Sequence, residues 1–189
     1  MSEIIRLFIA IEIPTSIRNE LGILIEKLKK ASDDGHIRWA RPDSIHLTLK
    51  FIGDLSTGSV ANVTKILETV ALKRSRFDLS VGELGCFPDF INPRVIWIGI
   101  SEDSSELANL QNEIELVLKP IGIISETRPY HAHLTLGRVR KPRDVGEIFS
   151  MVEIGTIGHF QVDEFCLIKS DLRPDGAVHT NLASFRLQK

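Results

Sequence analysis

One phrase occurs twice in this chain of 189 residues, and it constrains the fold more than any other feature. The sequence reads RPDSIHLTLK from Arg41 and RPYHAHLTLGR from Arg128. Arg128 follows Arg41 by 87 positions, and His133 follows His46 by the same number. A constant offset of this kind indicates a duplicated half. The sequence therefore predicts a single domain over residues 1–189 with two lobes, each carrying one motif, His46–Leu49 or His133–Leu136.

Composition and charge place the chain among ordinary globular proteins. It is 43% hydrophobic and 25% charged, and its formal net charge of −2 gives no global basic field for nucleic acid. No segment is long and apolar enough to cross a bilayer, so we expect a cytoplasmic protein without a membrane partner. The isolated Cys86 and Cys166 indicate neither a disulfide framework nor a zinc knuckle. We expect a monomer, since no apolar stripe is sustained.

Strand-like and helix-like patterns alternate, but without the short rhythm of a doubly wound sheet. The α+β class is therefore predicted, with antiparallel sheet in both lobes and helices outside a central cleft. Apolar spacing and turn residues predict strands over Ile4–Ile13, Ile37–Ala40, Ile45–Ile52, Phe77–Leu84, Val95–Ile100, Gly158–Ser170 and Ala177–Leu187, the third of them closed by Gly53. Helices are predicted from Thr15 to about Asp33, from Ser56 to Lys73, from Ser104 to Leu118, and from about Arg143 to Val152.

The repeated phrase is itself a strand pattern with two chemically different faces. Because side chains alternate along a strand, His46 and Thr48 share one face while the leucines point to the other. The same holds for His133 and Thr135. A histidine and a threonine two residues apart lie roughly 6–7 Å apart along the strand, close enough to converge on one small group. Two such strands brought together would direct two imidazoles and two hydroxyls into one cleft.

This set of groups is suited to cleaving a phosphodiester. One neutral imidazole can take a proton from the nucleophile, and one charged imidazole can give a proton to the leaving oxygen. Threonine hydroxyls can donate to phosphate oxygens. Lys50, four residues after His46, is predicted on the same face as a cation for the phosphate. In the second copy Gly137 holds that place, so its cation would be Arg138.

Other interpretations of these residues stay open at this point. The histidine faces could be half-exposed polar strand faces without chemistry. His131, His133 and His46 could also form a three-histidine zinc site, although this leaves the matched threonines unexplained. Trp39, Phe51 and Tyr130 could stack on a base, with core packing favoured for Trp39 and Phe51. His36, His159 and His179 have no patterned neighbours and are predicted to be surface or satisfied core residues.

Together, RLFIAIEIP, RWARPDSIHLTLKFIGDL and RPYHAHLTLGR resemble the 2H phosphoesterase superfamily, and within it the RNA 2′,3′-cyclic phosphodiesterase family, historically called 2′-5′ RNA ligases. The resemblance spans nearly the whole chain. It implies a bilobal α+β fold with pseudo-twofold symmetry and one H-x-T-x motif per lobe. It also implies a reaction without a cofactor or a required metal. One departure is Ala132, where the family often has proline before the second histidine.

The resemblance implies hydrolysis of a terminal 2′,3′-cyclic phosphate on RNA, for example on tRNA fragments, to a 2′-phosphate. His46 would be the proton donor and His133 the proton acceptor. Thr48 and Thr135 would hold the phosphate, and Arg138 would assist. Two alternatives remain open: a reversible 2′-5′ RNA ligase that uses the same histidines, and a module that binds RNA ends without turning them over.

Overall fold

The computed structural model describes residues 3–32, 35–101, 105–141, 144–152, 157–173 and 176–189. The strands are β1 (Ile4–Glu12), β2 (Ile37–Trp39), β3 (His46–Ser56), β4 (Phe77–Phe87), β5 (Val95–Ser101), β6 (His133–Val139), β7 (Gly158–Val162), β8 (Glu164–Arg173) and β9 (Gly176–Arg186). The helices are α1 (Thr15–Ser32), α2 (Val60–Ala71), α3 (Glu106–Leu118) and α4 (Gly146–Ser150). The predicted α+β class is confirmed.

All of these strands join one antiparallel sheet in the order β7-β4-β5-β6-β3-β1-β8-β9, and β2 pairs with β6 off this path. Outward from the junction of β3 and β6, one side of the sheet reads β1, β8, β9 and the other reads β5, β4, β7. The sheet is therefore symmetric about this junction. Each side also contains strands from the other half of the sequence: β4 pairs with β5 on one side, and β8 and β9 extend the sheet beyond β1 on the other.

The strand register carries the same repeat as the sequence. Glu12 of β1 lies opposite His46 of β3, and Gly99 of β5 lies opposite His133 of β6. Both members of the second pair follow those of the first by 87 positions. The repeat in the sequence is therefore also a repeat in strand pairing. It brings the two motifs to equivalent positions in the sheet.

The helices cover one face of the sheet. Leu21 of α1, Leu67 of α2 and Leu110 of α3 are fully buried in a core cluster that also contains the motif leucines Leu47 and Leu134. Apolar residues at intervals of three and four explain why these helices bury one side only. The opposite face carries His46, Thr48, His133 and Thr135, and we call it the histidine face. It is free for chemistry because the helices pack on the other side.

Several predicted boundaries were wrong. Gly53 does not close β3, because its positive φ of 83° accommodates an irregularity and pairing with β1 continues to Ser56. The region Gly158–Ser170 is two strands, separated at Asp163. Helix α2 starts only at Val60, since Ser56 accepts a hydrogen bond from the amide of Gly58 and a short 3₁₀ turn intervenes.

The predicted starts at Ser104 and Arg143 lie outside the described residues. No helix in the described ranges has the length and apolar character needed to cross a membrane.

Candidate active site

The site forms where the two motif strands meet. Leu47 of β3 pairs with Leu134 of β6, and both leucines are 0% exposed. An antiparallel register through this pair places His46 opposite Thr135 and Thr48 opposite His133 on the histidine face. The structure thus brings together the four side chains that the repeated phrase singles out.

Both motif histidines are held in the same tautomer. The Nδ1 atom of His46 lies 2.9 Å from the carbonyl oxygen of Ser44, and that of His133 lies 2.7 Å from the carbonyl oxygen of His131. A carbonyl can only accept, so each Nδ1 carries a proton and donates it. Each Nε2 is left with a lone pair and has no hydrogen bond to the described residues. Either ring can therefore take or give a proton at Nε2.

His46 lies in an aromatic pocket between β1 and β9. Its ring centroid is 4.7 Å from that of the buried Phe8 and 5.0 Å from that of His179. His179, which the sequence predicts only as a surface or satisfied core residue, is thus a direct neighbour of His46. It arrives from the β8–β9 hairpin, which folds over the histidine face, and no local pattern in the sequence signals this contact.

Aromatic rings also surround His133. Its ring centroid lies 5.2 Å from that of Phe87 at the end of β4, and 6.1 Å from those of Trp97 and His131. The indole of Trp97 lies against Gly85, where a Cβ atom would come within 2.2 Å of the ring. Gly85 is therefore required for Trp97 to occupy this position beside His133.

Burial sets the charge of both rings in the free protein. Burial, assisted by the nearby His179, lowers the pKa of His46 from 6.5 to about 4. Burial also lowers the pKa of His133, and His131 and Arg138 lower it further. Both imidazoles are thus neutral at pH 7 until an anion binds beside them.

A bulge in each motif strand decides which later side chains reach the site. Ile9 pairs with Lys50 and Ala10 with Thr48, so Leu49 is an extra residue in β3. Leu136 is the equivalent extra residue in β6. Each bulge shifts the alternation by one position. The fifth residue after each histidine, rather than the fourth, therefore faces the site.

These fifth residues are Phe51 and Arg138. Phe51 lies on the histidine face, 6.1 Å from Phe8 between ring centroids, and is 69% exposed, so the expectation that it packs in the core was wrong. Arg138 occupies the matching place in β6, with its charge close enough to affect His133.

Lys50 points away from the site, so the prediction that it shares the face of His46 was wrong. It is 4% exposed, and its ammonium donates to Glu115 of α3 at 2.7 Å and to the carbonyl of Ile124 at 2.9 Å. The bulge at Leu49 is the physical reason, because it turns Lys50 towards the helices. Lys50 joins β3 to the second half of the chain.

Tyr130 has a structural contact at the same junction. Its hydroxyl donates to the carbonyl of Thr48 at 3.1 Å, and its ring is partly buried against the core. It therefore ties the segment before β6 to β3. Trp39 is also partly buried against the core.

The zinc alternative finds no support in the geometry. Within the described ranges no three or more His, Cys, Asp or Glu side chains are grouped so that they could hold a metal ion, and this includes His46, His131 and His133.

Known proteins resemble this chain in sequence and in structure. The sequence model of a family described as LigT like Phosphoesterase matches residues 11–97 and 98–179. Two proteins named RNA 2′,3′-cyclic phosphodiesterase are similar to this chain over nearly their whole length. That of Archaeoglobus fulgidus is 32% identical over 95% of this chain and 99% of its own, and that of Aquifex aeolicus is 30% identical over 98% of each.

Solved structures have the same architecture. Escherichia coli LigT complexed with 3′-AMP superposes with a TM-score of 0.79 and 26% identity, covering 99% of this chain and 100% of its own. TT0787 of Thermus thermophilus gives a TM-score of 0.84 at 24% identity over 96% and 97% of the two chains. The latter likeness concerns the fold alone.

The buried ion pair of Lys50 leads to a prediction about stability. Lys50→Ala should lower the free energy of unfolding by about 3–5 kcal/mol, because the carboxylate of Glu115 would stay buried without its partner. Chemical denaturation measures this. The double variant Lys50→Met with Glu115→Leu should recover most of the loss. Lys29→Ala, which removes an exposed ion pair with Glu26, should change stability by less than about 1 kcal/mol. Equal losses in Lys50→Ala and Lys29→Ala would contradict the assignment.

The lowered pKa of His46 leads to a prediction about acid stability. Below pH 6.5 the unfolded chain binds a proton at His46 that the folded chain does not bind, so the folded state loses stability as pH falls towards 4. The loss from this group is at most about 3 kcal/mol. The free energy of unfolding should therefore decrease less steeply between pH 7 and pH 4 in His46→Gln than in the unmodified chain. If the two proteins lost stability equally with falling pH, folding would not lower the pKa of His46.

Proposed function

The chain belongs to the LigT-like phosphoesterase family, and on this premise we propose that it hydrolyses the 2′,3′-cyclic phosphate at the end of an RNA to a 2′-phosphomonoester. The observation that carries the proposal is the matched pair His46 and His133, each with a free Nε2 on one face of the sheet. The names of the similar proteins from Archaeoglobus and Aquifex support the choice of substrate.

In the proposed reaction each histidine moves one proton. Nε2 of His133 takes a proton from water while the water oxygen attacks phosphorus. The bond from phosphorus to the 3′-oxygen breaks, and protonated His46 gives its Nε2 proton to that oxygen. The product keeps its phosphate on the 2′-oxygen, and one exchange of protons returns both rings to their starting states. The assignment of donor and acceptor rests on the position of each motif in the chain.

The negative charge of the bound phosphate would favour the protonated form of the donor, His46. In the free protein the pKa of His46 is about 4, too low for a protonated ring at pH 7. A cyclic phosphate carries one negative charge, and an anion within a few ångströms raises the pKa of an imidazole. Substrate binding would therefore charge His46, while the positive charge of Arg138 contributes to the lowered pKa of His133 and so favours a neutral acceptor.

The remaining groups would hold the phosphate. Thr48 and Thr135 lie beside the histidines on the same face, and neither hydroxyl has a hydrogen-bond partner among the described residues, so both can donate to non-bridging oxygens. Arg138 would assist by offsetting the negative charge. Lys50 and the hydroxyl of Tyr130 take no part, because both are committed to contacts within the protein.

The first experiment tests the two histidines and their order. Chelator-treated protein is incubated with a short RNA ending in a 2′,3′-cyclic phosphate, and the products are separated as 2′-phosphate, 3′-phosphate or ligated RNA. We expect the 2′-phosphate, with His46→Ala and His133→Ala each reducing kcat by about 100-fold or more. A 3′-phosphate, or full activity in both variants, would refute the mechanism. Ligated RNA as the main product would favour the ligase alternative.

A modified substrate separates donor from acceptor. If sulfur replaces the 3′-oxygen, the leaving thiolate needs no proton from the enzyme. His46→Ala should then recover most of its activity, whereas His133→Ala should not. Recovery in His133→Ala instead would reverse the two roles.

The threonines should contribute through their hydroxyls. Thr135→Ala should lower kcat roughly 10- to 1000-fold, the range for losing one preorganised donor to a developing charge. Thr135→Ser keeps the hydroxyl and is the matched control, with a much smaller effect. The same comparison applies to Thr48, and steady-state kinetics on the cyclic-phosphate RNA measures both. Equal rates in the Ala and Ser variants would remove the phosphate-binding role.

A further inference from the structure

A short basic strip extends from the site along β2 and β6. Arg38 of β2 lies opposite Arg138 of β6, and the amide of Arg140 donates to the carbonyl of His36 at 2.8 Å, which sets the next pair of the ladder. We call these four residues, Arg38, Arg138, His36 and Arg140, the basic ladder. The proposed hydrolysis uses only Arg138 of the four.

The basic ladder lies on the same side of the sheet as the histidines. Directly opposite residues of an antiparallel pair point to the same face, and so do residues two apart on one strand. Arg138 is on the histidine face, so Arg38, Arg140 and His36 are as well. A guanidinium nitrogen of Arg38 also lies 3.2 Å from where a Cβ of Gly176 would be, on the strand that brings His179 to His46.

The arrangement of charge favours an anionic ligand. Arg138 and Arg140 are exposed and form no ion pair with the described residues. The chain as a whole has a net charge of −2, so this positive strip is a local feature and not part of a general basic surface.

The order of residues along the strands indicates in which direction a bound RNA chain would extend from the site. From the centre of the junction, His46 and Thr135 come first, Arg38 and Arg138 next, and His36 and Arg140 last. The basic ladder therefore continues beyond His46. In the proposed reaction His46 faces the leaving 3′-oxygen, which belongs to the nucleoside that remains attached to the RNA chain.

We propose that Arg38 and Arg140 of the basic ladder bind the phosphodiester that precedes the terminal nucleotide, so that the enzyme selects RNA ends over free cyclic nucleotides. This inference rests on the proposed function, because the direction of the chain follows from His46 as the donor. Guanidinium groups make charge-assisted, bidentate contacts with phosphate oxygens. Negative charge on the preceding linkage should therefore matter for kcat/KM.

Two dinucleotides that differ only in this charge provide the test. Both end in a 2′,3′-cyclic phosphate. One has an ordinary phosphodiester between its nucleosides, and the other has an uncharged methylphosphonate. We expect the unmodified enzyme to favour the charged substrate roughly 10-fold in kcat/KM, and Arg38→Gln or Arg140→Gln to remove most of this preference. The dependence of log kcat/KM on log salt should also become shallower by about 0.7 for one lost phosphate contact.

Lys65→Gln is the matched control, since it removes one exposed positive charge from α2 on the helix side of the sheet. It should keep the preference of the unmodified enzyme. The proposal is overturned if the unmodified enzyme treats both dinucleotides alike, or if Arg38→Gln slows both equally.

Binding without turnover keeps this inference separate from the proposed function. In the double variant His46→Ala with His133→Ala, affinity for the two dinucleotides should still differ, and Arg38→Gln should abolish that difference. If the unmodified enzyme hydrolyses neither dinucleotide, the proposed function fails, and this binding comparison alone decides on the basic ladder. Equal affinities in the double variant would overturn the ladder as a phosphate site.

Discussion

The pairing of Leu47 with Leu134 is the contact on which the rest of the site depends. It joins β3 to β6 at the centre of the sheet, and it is the one register pair between these strands in the described ranges. Around it, the hydroxyl of Tyr130 bonds the backbone of Thr48, and the amide of Ala40 donates to the carbonyl of Leu136 at 2.8 Å. Two histidines that are 87 positions apart in the chain share one face because these few contacts fix the junction.

The backbone around the two motif histidines is equivalent, but the side chains that surround them differ. Each histidine donates from Nδ1 to the carbonyl two residues earlier, so the duplicated backbone gives both rings the same orientation. The neighbours then differ. The fifth residue after the histidine is the exposed Phe51 in one strand and Arg138 in the other. Equivalent imidazoles can therefore have opposite roles in one reaction, because their environments shift their proton affinities differently.

Much of this site could be predicted from the sequence, since strand alternation alone separates His46 and Thr48 from Leu47. The prediction failed at Lys50, where an extra residue at Leu49 shifts the alternation, and a bulge has no composition that marks it. It also failed at Phe51 for the same reason. His179 could not be found because its contact with His46 depends on how a distant hairpin folds over the sheet. Local patterns predict faces of strands, whereas long-range packing decides which side chains meet.

The exchange of strands between the two halves has a consequence for how the chain reaches this structure. Strand β1 lies between β3 and β8, and Leu7 pairs with Lys169, 162 positions later. The half of the sheet that holds His46 therefore lacks its flanking strand until most of the chain has been synthesised. Pairings of such high sequence separation form slowly, because closing a long loop costs entropy before the contact repays it. The first half of the chain consequently cannot complete its side of the sheet before β8 and β9 have been made, and until then one edge of β1 stays unpaired.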